Sequence, residues 1–154
     1  MKPLVHLICD YAPGDMAWAE VLSAVCAVIP KEWSTHATSV GSFETISTGF
    51  VLAQLALAEK PIRPTDLIVF ANCAPRKDLR DARHNNEGEG LLFARLQNSV
   101  GVLAVNSGYS LSFVRDEIAE LWSVQVDTGG SQFRSRDNFP RVIGQLAHQD
   151  HSFF

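Results

Sequence analysis

The sequence is poor in everything that would staple, charge or anchor a chain. Its three cysteines, Cys9, Cys26 and Cys73, are odd in number and lack CxxC spacing. They exclude a disulfide framework or a cysteine-rich zinc site and read as small buried residues of a reducing compartment. No block of Lys and Arg marks a surface for phosphate backbones. Thirteen basic residues against seventeen acidic ones leave a net charge of −4, so nucleic acid is not expected as a partner. The apolar run VLAQLALA is too short and too closely flanked by charge to span a bilayer, so no membrane partner is expected either. The N-terminus carries one Lys and a short apolar run before Asp10, which is not a secretory signal, and the cytoplasm is the expected setting. Nothing repeats, and no stretch is of low complexity.

What is present suits one domain with a core of ordinary size: 154 residues, 46% of them hydrophobic. Leu4 to Cys9 reads as a short, fully buried strand. Pro13-Gly14 makes a turn, Asp15 is placed to cap a helix running to about Val28, and Pro30 ends that element. A second strand is expected around Ser34 to Thr38. A long helix follows from Ser42, Glu44 and Thr45 towards Lys60, with an apolar face of Ile46, Phe50, Leu52, Leu55 and Leu57. Asp66 to Cys73 is the most strand-like segment. LLFARL and VGVLAV read as two strands joined at Gln97-Asn98. Ser110 to Leu121 is expected to be helical, WSVQV a strand, and Phe139 to His148 a closing helix. Between Arg76 and Gly90 lies a polar loop.

Strands that alternate with helices and are buried on both faces predict an α/β fold, a three-layer sandwich around a mainly parallel, Rossmann-like sheet. Ligands of such sheets sit outside the carboxyl ends of the strands. Asp10, Asn72 and Asn106 all fall at such ends. The competing reading is that each caps a helix or satisfies a turn.

Four segments, in order, resemble the S-adenosylmethionine (SAM) hydrolases, also called SAM hydroxide adenosyltransferases, which are relatives of the SAM-dependent fluorinase and chlorinase. They are LICDYAPGD with AVIP, FETISTGFVLAQLAL, VGVLAVNSGYSLSFV and QFRSRDNFPRVIGQLA. The resemblance implies that Asp10 holds both ribose hydroxyls of an adenosine moiety. It implies that Asp15 pairs with the ammonium of the amino-acid end and that Phe43 packs on the sugar or sulfonium. Ser135 takes the slot that is a serine beside the halide in the fluorinase. Asn106 and Ser107 fall on the family's turn of Asp or Asn followed by Asn. SAM or adenosine would be the ligand, with no cofactor, and the chemistry would be displacement at the ribose 5′ carbon. A homo-oligomer, commonly a trimer, comes with the family.

The chain departs from that pattern where the chemistry sits. The hydrolases position water with an Asp, an Arg and a His. Here Asn72 stands for the Asp and Arg134 for the His, while Arg76, Arg80 or Arg83 of the polar loop would supply the arginine. Asn cannot take a proton from water. The family also has a further, mostly β domain after this point, and this sequence ends at Phe154. Three readings therefore stand open: a nucleoside-binding enzyme, a non-catalytic α/β subunit, and an enzyme whose chemistry has moved to the arginine-rich loop. Among the other polar residues, His84 reads as a solvated loop histidine and His6 and His36 as structural. Arg136-Asp137 reads as an ion pair, and Cys73 as a buried thiol without a histidine base. His148, Asp150 and His151 could ligate a metal, but at a chain end that lacks preorganisation no metal is expected.

Overall fold

A computed structural model describes residues 2–58, 66–75, 88–127, 133–150 and 152. Six strands form one sheet: β1 (Leu4–Cys9), β2 (Ser34–Ser39), β3 (Leu67–Asn72), β4 (Leu91–Leu96), β5 (Gly101–Val105) and β6 (Ile118–Val124), in the spatial order β2-β1-β3-β5-β4-β6. β2, β1, β3 and β5 pair in parallel, whereas β4 runs antiparallel to both β5 and β6. The sheet is therefore mixed, and the expectation of a mainly parallel sheet holds only for the four strands from β2 to β5. The reason lies in the connection: β4 and β5 are joined by the tight Gln97-to-Val100 turn, too short for a parallel crossover.

The burial pattern follows the composition of the strands. β3 and β5 are buried at every position and β1 at all but its first, as apolar runs in a sheet covered on both faces must be. β2, with the sequence STHATS, is the polar edge. Alternate residues of the central strands feed two cores. On one face Val5, Leu7, Phe70 and Leu103 pack with helix α1 (Met16–Cys26) and helix α4 (Phe139–Ala147). On the other face Ile8, Val69, Ala71 and Val102 pack with helix α2 (Thr45–Ala58).

Two elements differ from the sequence reading. In α2 the buried residues are Thr48, Gly49, Leu52, Ala53 and Ala56, while Ile46, Phe50 and Leu57 are exposed. The helix is apolar almost all round, so periodicity does not select a face. The buried face takes the small residues because they allow close approach, at Gly49 to the segment that leads into the 3-10 turn before β6. A Cβ on Gly49 would clash with the Tyr109 carbonyl oxygen, which is backbone and cannot swing away. The expected helix from Ser110 is only a 3-10 turn, Ser112–Glu117, and the strand begins at Ile118. Pairing with β4 overrides helix propensity there. Phe93 stacks on Trp122 with ring centroids 5.5 Å apart, and Arg95 lies 3.5 Å from Glu120 and 5.6 Å above the Trp122 ring.

Candidate functional site

The carboxyl ends of β1 and β3 lie side by side, since Cys9 and Asn72 are register partners. The chain leaves β1 as Asp10-Tyr11 and β3 as Cys73-Ala74-Pro75. Phe133, a short helix α3 (Arg134–Asp137) and the start of α4 close over the same edge. Between them is a hollow of about 380 Å³ lined by Asp10, Tyr11, Phe43, Asn72, Arg134 and Ser135 among others, with Phe133 and Phe139 in its wall. That volume falls at the lower end of the about 300–1,000 Å³ of small-molecule pockets.

Asp10 sits at the mouth. Its Oδ2 accepts the Phe43 amide N–H at 3.1 Å. A carboxylate has about four acceptor positions, so capacity remains for a second partner. Phe43 is held at φ 61°, in the left-handed region that a Cβ disfavours, with its side chain 62% exposed at the rim. A bulky residue in that conformation costs about 1–2 kcal/mol and marks a position held by its surroundings.

Asn72 forms the floor. Its Nδ2 donates to Tyr11 Oη at 2.9 Å and to Ser135 Oγ at 2.8 Å. Asn72 and Ser135 are both buried, so these bonds satisfy groups that water does not reach freely. Burial first, and then the neighbouring Cys9, pushes the Tyr11 phenol well above its ordinary range. Tyr11 therefore stays protonated at neutral pH. Burial likewise pushes the Cys73 thiol up to about 11, against a lowering bond from Thr48. Cys73 is a thiol, not a thiolate nucleophile, at neutral pH.

Arg134 is the cation of the hollow. Its Nη2 donates to the Glu89 carbonyl at 3.3 Å, and its guanidinium carbon lies 5.4 Å from the Phe139 ring centroid. Gly88 packs directly against the guanidinium, which would collide with any Cβ placed there.

Of the residues expected at a site, Asp10, Phe43, Asn72, Arg134 and Ser135 converge on this hollow. Asp15 does not line it. It is exposed and caps α1, its Oδ1 accepting Ala17 N–H at 2.9 Å, because the unpaired amides of a helix start are the nearest demand for a carboxylate. Asn106 and Ser107 line a different hollow of about 280 Å³ with Leu92, Leu111 and Arg115. The Ser107 hydroxyl donates to the Cys73 carbonyl, which ties the end of β5 to that of β3. Arg76, Arg80, Arg83 and His84 lie outside the described residues, as does His151. Among the described residues no group of three or more His, Cys, Asp and Glu could hold a metal.

Other sequence readings have structural outcomes. His6 is buried and meets exposed His36 edge to face at 5.5 Å. Arg136 pairs with Asp137 at 2.7 Å and with Glu20 at 3.1 Å. No helix among the described residues is long and apolar enough to cross a membrane. Sequence reasoning missed Tyr11, Phe133 and Phe139 as walls of the hollow. Only Tyr11 carried a signal, its place directly after the strand-end Asp10.

The sequence matches no protein-family model and no curated protein. Among solved structures the fold is similar to an uncharacterized conserved protein from Thermotoga maritima, with a TM-score of 0.72 and 14% identity over 94% of this chain and 53% of that one. It is also similar to a conserved hypothetical protein from Thermus thermophilus, with a TM-score of 0.61 and 14% identity over 96% of this chain and 54% of that one. At such identity the likeness establishes the α/β fold alone. The chain spans about half the length of the solved structures it matches.

Proposed function

We propose that the hollow at the ends of β1 and β3 binds a nucleoside of the adenosine or SAM type. The observation that carries this reading is the Asp10 carboxylate, held by the Phe43 amide and lining a 380 Å³ hollow with aromatic walls. A carboxylate so fixed can accept both hydroxyls of a ribose, and an aromatic wall suits a sugar or a base. The reading treats the sheet as a Rossmann-like frame with its ligand at the strand ends. The three free thiols favour a cytoplasmic setting. A homo-oligomer, trimeric in the family that the sequence resembles, belongs to the same proposal. The exposed Phe50 and Phe113, whose rings meet edge to face 6.3 Å apart, offer apolar surface for it.

If the site turns over SAM, water oxygen bonds to the ribose 5′ carbon as the carbon–sulfur bond breaks. Methionine leaves with the electron pair, and the water proton passes to solvent. Such a displacement needs positioning more than covalent catalysis. A second reading, binding without turnover, is favoured by a specific observation: Asn72 spends its amide on Tyr11 and Ser135, and neither Tyr11 nor Cys73 is ionised at neutral pH. No base among these groups stands ready for the water.

The test is thermal denaturation with adenosine, methylthioadenosine and SAM. A ligand at a hundred times its Kd stabilises the native state by about 2.7 kcal/mol, which moves the midpoint by several degrees in a chain of this size. Asp10→Ala should abolish the shift. No shift with any of the three would end the nucleoside reading. Chromatography of SAM after incubation with the protein separates turnover from binding.

A further inference from the structure

Resting on the nucleoside reading, we infer that the ligand carries an anionic group at its 5′ end, a phosphate before a carboxylate, and that Arg134 is the residue that receives it. Asp10 and Arg134 line the same hollow, together with the uncharged Tyr11, Asn72 and Ser135. Its described lining thus offers one carboxylate, one guanidinium and an uncharged polar set. A ligand that fits offers donors to the first and an acceptor group to the second. A ribose with an anion on its 5′ carbon offers both, diol at one end and charge at the other.

Arg134 is built for the task. Among the described residues its guanidinium meets the Glu89 carbonyl at 3.3 Å, the Phe139 ring at 5.4 Å and Gly88, where a Cβ would collide with it. A guanidinium presents five N–H donors in a rigid fork, and the fork matches phosphate or carboxylate oxygens in pairs. Its stacking on Phe139 limits the conformational freedom lost on binding.

Phosphate is favoured over the amino-acid end of SAM by what the lining lacks. An α-amino acid presents an ammonium beside its carboxylate and needs an acceptor for it. Asp15, the residue expected to supply one, caps α1 instead, and Asp10 is the single carboxylate among the described lining residues. The diol claims that carboxylate. A sulfonium would also bring its positive charge into a hollow that Arg134 already lines.

Calorimetric titration of the full chain at low salt with AMP, adenosine, S-adenosylhomocysteine and inorganic phosphate tests this. AMP should bind about ten- to a hundredfold more tightly than adenosine, the range of a charge-assisted pair. S-adenosylhomocysteine should lie near adenosine, and added sodium chloride should weaken AMP but not adenosine. Arg134→Gln, which removes the charge and the fork and keeps a polar side chain, should remove the AMP advantage while leaving adenosine affinity within about twofold. Arg134→Lys should restore part of it. Equal affinity for AMP and adenosine, or an Arg134→Gln loss shared by both, overturns the inference and leaves the nucleoside reading standing. Tighter binding of S-adenosylhomocysteine than AMP replaces phosphate with carboxylate. Arg134-dependent binding of phosphate without adenosine or AMP sinks the nucleoside reading and keeps the anion site. Binding of none of the four sinks both.

Discussion

Replacing Asn72 by Leu tests the floor of the hollow without any ligand. Leu is close to Asn in shape but donates nothing. The exchange removes the bonds to Tyr11 Oη at 2.9 Å and Ser135 Oγ at 2.8 Å. Tyr11 is half-buried at the edge of the hollow, so water can replace its bond at little cost. Ser135 is only 8% exposed and loses the Asn72 donor, with Tyr11 as its remaining side-chain partner. Two lost bonds at about 1 kcal/mol each, plus that desolvation and less the apolar gain of Leu, come to about 2 kcal/mol. For a chain of this size this is a fall of about 4–8 °C in the midpoint. Ser135→Ala alone should cost about 1 kcal/mol, and the double variant little more than Asn72→Leu, a coupling of about 1 kcal/mol. Urea denaturation of the four proteins in the cycle measures it. If the two substitutions add to within about 0.3–0.5 kcal/mol, or Asn72→Leu is neutral, the network does not hold the floor and the reasoning fails.

Three further outcomes are expected. Phe43→Gly should be more stable than Phe43→Ala, because both lose the exposed ring and only Gly relieves the φ of 61°. The difference should be about 1 kcal/mol or less after the extra freedom of unfolded Gly, and a more stable Ala variant would show the backbone to be unstrained. Gly88→Ala should leave the melting temperature within a few degrees, since what it meets is the far end of the Arg134 side chain and not backbone, yet by displacing that guanidinium it should erase the AMP advantage over adenosine in titration. Stability should decline on going from about pH 9 to about pH 11. The Cys73 thiol ionises near its ordinary 9.0 when unfolded but only at about 11 when folded, so the unfolded chain holds fewer protons across that window and is favoured there. Cys9 and Tyr11, also pushed upward by burial, act in the same direction. Cys73→Ala should flatten part of the slope in urea denaturation followed across that range.

The sequence alone determined the strands that the sheet buries and the edge where a site can form. The apolar runs of β1, β3 and β5 suit only a sheet covered on both faces. Parallel strands bring their carboxyl ends to one edge, so Asp10 and Asn72 were legible as neighbours without coordinates. Asp15 was legible as a cap, and that is where the structure puts its carboxylate. Tertiary structure decided what depends on long-range choice. α2 is apolar nearly all round, and which face turns inward follows from how closely Gly49 and the small residues near it pack. The segment after Ser110 leaves its expected helix because β4 offers it a partner strand. Above all, Asn72 meets Tyr11 and Ser135 across 61 and 63 residues of chain, and Arg134 reaches the Glu89 carbonyl across 45. Local patterning records the periodicity of one element. It holds no information about which distant side chains two elements bring together when they pack.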